Sequence, residues 1–449
     1  MKKLLTVLGS MTLIATVSAS VIACKTTDST ISETQLAQKV QTIWNDNFKD
    51  KITSAKNFSM VIEMIKEKLN SKEKELINLS NQEESRNRPK KWEPNQKIDI
   101  KIGEKSINLD FGEVKEGKKA TKYKDPNTGE IKTTDATDFS KINGLKEVKE
   151  IIEIGYFEDI DDRDNKVQIR AVVMPESIEK ISDFLPREIT STKSMFNNAK
   201  EFNQDLSKWD TSNLDSINAM FKGAHKFNQN LSNWNVSNVR IFDYAFYGTK
   251  TFDQNLSDWD VSSGESMNRM FARSEKYNNG GKALTWNEKT KNVKDMSTMF
   301  ALNHVFNQDI SKWDVSNVTD MTQMFLQAKQ FNQDLNNWNV GNVKKMRSMF
   351  RETEEFNKPL DKWNVSNVED MGNMFMRTVK FDQDISNWTL TSLKNIEAMF
   401  MEAKQFNQNL SKWNVKKVNV YSSYDKNASK WTNSNHKPKD FNKDNEKKK

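Results

Sequence analysis

Cysteine and histidine are scarce in this 449-residue chain, and their scarcity removes whole classes of chemistry. Cys24 is the only cysteine, so neither an intramolecular disulfide nor a cysteine-based zinc site can form. The three histidines, His225, His304 and His436, show no metal-ligand spacing. The chain also lacks a glycine-rich phosphate loop and a recurring Ser–His–Asp arrangement. We therefore expect a protein that is not an enzyme and that has no cofactor and no metal.

A basic folded surface is missing too, although the formal net charge is +7. Lys2 and Lys3 contribute +2, and residues 416–449 contribute +6 through ten lysines against four acidic residues. The rest of the chain is close to neutral. Because a nucleic-acid-binding protein carries its basic patch on the folded body, we expect no nucleic-acid partner.

The first residues, MKKLLTVLGSMTLIATVSASVIAC, have the layout of a secretory signal. Two lysines precede an apolar run from Leu4 to about Val17, which is too short for a comfortable membrane span. The tetrapeptide ending at Cys24, VIAC, resembles the lipobox of bacterial lipoproteins. That resemblance implies cleavage before Cys24 and a diacylglycerol anchor on its sulfur, which would hold the protein on the outer face of the cell membrane. An ordinary signal peptide or an uncleaved anchor is the alternative.

Between Thr34 and Leu79 the apolar residues recur at helical spacing. One stripe holds Leu36, Val40, Ile43 and Trp44, and a second holds Phe58, Val61, Ile62, Ile65 and Leu69. The pattern predicts two amphipathic helices, which could form a stalk, a small bundle or a partner-binding element.

Two β-hairpins are predicted before the repeats. In KIDIKIGEKSINLDFGEV apolar and polar residues alternate around a turn at Gly103 and Glu104. The second hairpin has an acidic tip, Asp159–Asn165, which suggests either a calcium loop or a solvated turn. An EF-hand counted from Asp159 would need Gly and Glu where Asp164 and Arg170 stand, so we favour the solvated turn.

A repeat of about 25 residues dominates the second half of the chain. Its tryptophans are Trp209, Trp234, Trp259, Trp286, Trp313, Trp338, Trp363, Trp388 and Trp413. They are 25 residues apart except on both sides of Trp286, where the interval is 27. So constant a period over nine units indicates a solenoid whose units pack on their neighbours, with the tryptophans in the core.

Within one unit the apolar spacing changes from strand-like to helix-like. Trp313 and Val315 alternate as in a strand, although Ile310 fits this alternation only with a bulge or a very short strand. The residues spaced by three or four are Val318, Met321, Met324, Phe325 and Ala328. With Ser316 as the helix N-cap, the pattern predicts an α/β fold with one short parallel strand and one helix per unit.

A short polar residue follows the phenylalanine that opens each unit. It is Asn at positions 203, 228, 307, 332 and 407 and Asp at 253 and 382. Because a corner amide needs a partner, these residues could form a polar ladder along the stack. They could also serve only to form the turn.

The repeats FNQDISKWDVSNVTDMTQMF and FNQDLNNWNVGNVKKMRSMF resemble those of mycoplasma (mollicute) surface lipoproteins in the BspA-type leucine-rich-repeat family. The resemblance covers roughly residues 155–420 and implies a leucine-rich-repeat-like solenoid after a smaller α+β region. It also implies surface display and suggests binding to a host surface or matrix protein. We therefore expect a lipid-anchored adhesion module with a candidate binding face at Ser311, Lys312 and Asp314. A merely solvated face, on a passive and variable coat or antigen, is the alternative.

The expected organisation has six parts. They are the signal peptide (1–23), a tether with amphipathic helices (24–90), the hairpin-containing α+β region (91–170), an N-terminal cap (171–194), the nine-unit solenoid (195–420) and a basic, disordered tail (421–449).

Overall fold

The computed structural model of the protein describes residues 31–161 and 163–441. The predicted signal peptide and the lipidation site at Cys24 lie outside these residues. In the part that is described, no helix has the length and apolar character needed to cross a membrane.

Three α-helices open the described chain. They are α1 (Glu33–Asn47), α2 (Phe58–Lys66) and α3 (Ser71–Glu75). Ser32 caps α1 by accepting a hydrogen bond from the Gln35 amide, and Asn57 caps α2 in the same way. Both predicted amphipathic helices are therefore present, and α3 is an additional short turn of helix.

Eight strands follow and form three small antiparallel sheets. The first sheet has the order β1-β2-β3, with β1 (Ile77–Leu79), β2 (Lys97–Ile102) and β3 (Lys105–Asp110). The second has the order β5-β4-β6, with β4 (Thr121–Lys124), β5 (Ile131–Thr134) and β6 (Ile151–Glu153). The third pairs β7 (Tyr156–Ile160) with β8 (Val167–Ala171). Both predicted hairpins are present, as β2–β3 and β7–β8.

Helix α1 covers the first sheet. Trp44 is fully buried and donates from Nε1 to the Asp110 carbonyl at 2.7 Å, which fixes the helix against β3. At the other end of this region, β8 lies against the first turn of the repeats, where the Ala171 amide donates to the Ser191 carbonyl at 2.9 Å. The N-terminal region thus covers the open end of the repeat array.

The prediction of one parallel strand and one helix per unit is wrong. After β8 the described residues contain no strand and no α-helix, and the regular strands all belong to the antiparallel sheets above. The short 3-10 segments within residues 31–161 and 163–441 are Gln82–Arg86, Phe139–Lys141, Asn279–Gly281, Asn287–Thr290 and Ser434–His436. Each unit is instead a layer of consecutive turns, joined to the next by a single-residue parallel bridge such as Asp320–Lys345.

The residues predicted as helix form two turns per layer. The amides of Met324 and Ala328 donate to carbonyls three residues earlier. The amides of Gln323 and Gln327 donate to the next layer, at 2.8 Å each, and these two residues have φ of 58° and 55°. A right-handed α-helix cannot contain such residues. Ser316 caps no helix: its amide donates to the carboxylate of Asp314 at 2.9 Å.

Aromatic side chains form continuous columns through the layers. One column is Phe196, Phe221, Phe246, Phe271, Phe300, Phe325, Phe350, Phe375 and Phe400, with neighbouring ring centroids 5.6–5.8 Å apart. The second is Phe202, Phe227, Phe252, Tyr277, Phe306, Phe331, Phe356, Phe381 and Phe406, at 5.8–6.2 Å. The nine repeat tryptophans are at most 4% exposed and lie beside these columns. Burial between layers is therefore the main stabilising contribution.

The irregular unit around Trp286 keeps the register of the stack. Its extra residues form the 3-10 turns Asn279–Gly281 and Asn287–Thr290 on either side of the tryptophan. Asn279, fully buried, accepts a hydrogen bond from the Leu256 amide at 2.8 Å and donates to the Lys282 carbonyl at 2.9 Å.

The stack continues beyond residue 420, where the sequence predicts a tail. Val420 bridges Asn395, and Ser423 and Asn427 have the positive φ of the turn positions in earlier layers. Trp431 is 1% exposed and closes the core with its ring edge-on to the phenylalanines of the last full layer. Residues 421–431 are thus a final layer.

Candidate interaction faces

Of the three residues of the predicted binding face, two serve the turns of their own layer. The Ser311 amide donates to the Asp309 carboxylate at 2.8 Å, and the Asp314 carboxylate accepts from the Ser316 amide at 2.9 Å. These short Asx turns set the direction of the chain around Trp313. Ser311 and Asp314 are accordingly only half-exposed.

Lys312 is the member of the set that faces solvent. It is exposed and forms no ion pair with the carboxylates of the described residues. The same position holds Lys208, Asn233, Asp258, Asn337, Lys362, Asn387 and Lys412 in other layers. The structure thus places a column of varied polar side chains there, on a backbone that does not vary.

The predicted polar ladder is confirmed. Asn307 donates its amide to Oδ1 of Asn278, and its own Oδ1 accepts from the Asn332 amide, both at 2.9 Å. The complete ladder is Asn203, Asn228, Asp253, Asn278, Asn307, Asn332, Asn357, Asp382 and Asn407, with links of 2.7–3.0 Å. Asp replaces Asn without a break because only the acceptor oxygen is needed.

Each repeat tryptophan also ties its layer to the preceding one. Trp338 Nε1 donates to the Ile310 carbonyl at 3.1 Å, and the other eight make the same kind of bond at 2.8–3.1 Å. A Phe at this position would fill most of the space but leave a buried carbonyl without its donor.

Oppositely charged side chains one layer apart form ion pairs on the outer surface. Pairs at 2.6–3.8 Å include Arg240–Glu265, Lys250–Glu275, Lys329–Glu354, Lys345–Asp320, Lys394–Glu369 and Arg377–Glu402. Lys226–Glu201 and Lys380–Glu355 are in direct contact as well. Such exposed pairs add little stability individually.

Two carboxylates of the acidic hairpin tip face protein groups. Asp159 pairs with Arg170 at 2.9 Å, and Asp164 reaches Arg240 of the stack at 3.0 Å. Arg163 of the same tip lies 3.5 Å from Asp243, whose pKa is raised by burial. Among residues 31–161 and 163–441, no group of three or more metal-binding side chains is assembled.

The N-terminal region holds the first layers through charged contacts. Lys56 Nζ lies 2.5 Å from a Glu188 oxygen, and Arg86 pairs with Asp215 at 3.1 Å. Beside Arg86 a groove of about 370 Å³ runs along the stack, lined by both acidic and basic side chains. Its mixed charge gives it no preference for an anion or a cation.

The repeat region matches a known protein family. A family model described as "Mycoplasma protein of unknown function, DUF285" matches residues 169–286, 279–375 and 337–441, more than half of the chain. The chain belongs to this family. It is therefore a mycoplasma-type repeat protein, as the sequence predicts. No curated protein and no solved structure matches the chain.

In this DUF285 protein, sequence reasoning missed the charged contacts between layers. Their signal was present, because opposite charges recur at an interval of one repeat, as in Glu369 and Lys394. It also missed the positive-φ positions, two of which are occupied by Gly223 and Gly248.

Proposed function

We propose that this DUF285 protein is a lipid-anchored cell-surface protein that binds a host surface or matrix protein without catalysing a reaction. The main support is the contrast between an invariant layer backbone and the varied exposed side chains at the position of Lys312. A regular scaffold with changing surface residues is typical of repeat proteins that bind extended partners.

The proposed anchor is a diacylglycerol on Cys24. Support comes from the signal-like residues before it and from the absence of any other cysteine in the sequence. We also propose a relationship to BspA-type repeats from the repeat residues, without the strand-and-helix layers that the structure excludes.

A Cys24→Ser variant tests the anchor. We expect the wild-type chain to partition with membranes and to incorporate labelled fatty acid, and the variant to lose both properties. Thr26→Ala is the matched control and should behave as wild type. Membrane partitioning of the Cys24→Ser variant without fatty acid would contradict lipid anchoring.

Charge reversal at Lys312 tests the binding face. Attachment of the full chain is measured to host cells and to a panel of purified matrix proteins. The variants are Lys312→Glu and Lys412→Glu, and the control is Lys68→Glu, at an exposed lysine of the N-terminal region. We expect weaker attachment only for the two repeat variants, with unchanged melting temperatures. Equal attachment by all variants would refute this face.

A passive coat or antigen is the second candidate. The ion pairs between layers favour it, because they satisfy many surface charges within the protein. In that case the full chain should bind none of the host probes, and sister strains should differ chiefly in their number of repeats.

A further inference from the structure

Three cations on the layers of Phe221 and Phe271 have no carboxylate partner among the described residues. Lys222, Arg269 and Arg273 form no ion pair with a carboxylate of the described residues, whereas Lys226 and Lys250 nearby pair with acids one layer away. The three therefore contribute positive charge that no carboxylate of the described residues neutralises.

Lys222 and Arg269 lie beside two tyrosines of a single layer, and Arg273 occupies the positive-φ turn position of Gly248 one layer further on. The rings of Tyr244 and Tyr247 have centroids 5.5 Å apart and are inclined by 55°. Lys222 Nζ lies 5.4 Å from the Tyr244 centroid, and the Arg269 guanidinium lies 5.3 Å from it. Arg269 also donates to the Tyr244 hydroxyl at 2.8 Å. We call Lys222, Tyr244, Tyr247, Arg269 and Arg273 the tyrosine patch.

Gly248 leaves open space at the tyrosine patch. Gly223 and Gly248 occupy the second positive-φ position of their layers, where five later layers carry Leu302, Gln327, Glu352, Arg377 and Glu402. A Cβ added to Gly248 would meet no atom within 4 Å. The surface beside Tyr247 is therefore open to a ligand.

The acid of this turn does not neutralise the patch. Asp243 accepts hydrogen bonds from Ser266 Oγ at 2.5 Å and from the Asn268 amide at 3.0 Å, and it faces Arg163 of the hairpin tip.

The backbone at the patch excludes binding by strand addition. The amides of Tyr244 and Gly248 each donate to the next layer at 2.9 Å, as does the Phe246 amide between them. An extended peptide would find no free donors here. The available recognition chemistry is cations spaced over three layers, two phenol hydroxyls and partly exposed ring surface.

We propose that the tyrosine patch binds an acidic saccharide chain, whose carboxylate or sulfate groups pair with Lys222 and Arg273 while a sugar ring packs against Tyr247. Lys222 and Arg273 are two layers apart, and the phenylalanine rings of these neighbouring layers are 5.6 Å apart, so the two cations can meet successive charged groups of such a chain. This site is separate from the Lys312 face and does not depend on that face binding a protein.

The test measures binding of the full chain to heparin, a sulfated saccharide, and to hyaluronan, a carboxylated one, at fixed salt. Arg273→Glu and Lys222→Glu should each weaken binding at least about tenfold, because each removes a charge-assisted contact. Lys68→Glu, which reverses an exposed charge in the N-terminal region, is the control and should change it less than about twofold. Tyr247→Ala should also weaken binding. Arg273 is exposed, so its variant is expected to keep the wild-type melting temperature.

Polyglutamate and single-stranded DNA distinguish a saccharide site from general attraction to polyanions. Binding to neither saccharide, an unchanged affinity in Arg273→Glu, or equally tight binding of polyglutamate or DNA would each overturn the proposal. Preference for heparin or hyaluronan over both polyanions, lost in Arg273→Glu, supports it.

Discussion

The asparagine ladder provides a sharp test of how the layers are held together. The substitution Asn307→Ala removes a side-chain oxygen that accepts two hydrogen bonds. The donors are the Asn332 amide and Gln333 Nε2, both at 2.9 Å. Gln333 keeps the Asn307 carbonyl as an acceptor at 2.8 Å, so its amide group remains partnered. The Asn332 amide loses its only acceptor in the ladder.

The expected loss of stability follows from that single orphaned donor. Leaving a buried donor without a partner costs about 1–3 kcal/mol, and because Asn332 is half-buried we expect about 1–2 kcal/mol for Asn307→Ala. Asn307→Asp keeps the acceptor, and the chain already uses Asp253 and Asp382 in this role. We therefore expect Asn307→Asp to cost less than about 0.5 kcal/mol.

Urea unfolding followed by circular dichroism and tryptophan fluorescence measures this difference as a shift in the transition midpoint. Coincident transitions by the two probes are needed before the midpoint is converted to a free energy. If Asn307→Ala is as stable as wild type, or if Asn307→Asp loses as much as Asn307→Ala, the ladder does not stabilise the stack in the way described.

Two further predictions concern buried groups. Trp338→Phe should lower the free energy of unfolding by about 2–4 kcal/mol in thermal or urea unfolding, because it removes the Nε1 hydrogen bond between layers and leaves a cavity. Trp92→Phe is the control and should change stability little, because Trp92 is 83% exposed. Equal effects of the two substitutions would contradict the role assigned to Trp338. Burial raises the pKa of Glu188, but the hydrogen bond and charge of Lys56 outweigh it and hold this pKa below its usual value. The stabilisation from the Lys56–Glu188 pair is complete above the unfolded-state pKa of about 4.3 and is lost as pH falls through the folded-state pKa. The urea midpoint of Glu188→Gln should therefore fall less steeply with acid than that of the wild type. Parallel curves of midpoint against pH for the two proteins, between pH 6 and 3, would refute this role of the pair.

Much of the core was predictable from the spacing of residues along the chain. The 25-residue period locates the tryptophans and phenylalanines that form columns, and the recurrent Asn or Asp predicts the ladder. The hairpins follow from strict alternation and turn residues, as in β2 and β3 around Gly103. These features depend on local pattern, which the sequence displays directly.

The error of fold class came from a spacing that two structures share. Val318, Met321 and Met324 recur every three residues in a helix, but consecutive turns of three to four residues place them on one side as well. The turns require a left-handed conformation at Gln323 and Gln327, which costs such residues about 1–2 kcal/mol each. The hydrogen bonds that the Gln323 and Gln327 amides donate to the next layer offset that cost. Because these bonds join residues of different layers, local residue propensities do not predict them.

The candidate faces were less predictable than the core. Lys312 could be selected as exposed from its place beside Trp313, but the roles of Ser311 and Asp314 in Asx turns depend on the turn geometry. The tyrosine patch depends on side chains from three layers, and sequence spacing alone does not show which of their charges lack a partner.

The identical pairing of every layer with the next has a consequence for heredity. A gene duplication that adds one whole unit inserts a new layer whose amides, ring faces and ladder oxygen already match both neighbours. Recombination between regular units can therefore lengthen or shorten the molecule one layer at a time while keeping the aromatic columns and the ladder continuous. A binding surface on the last layers would then lie further from the N-terminal region, or closer to it, by the thickness of the layers added or removed. Its own local structure would not change.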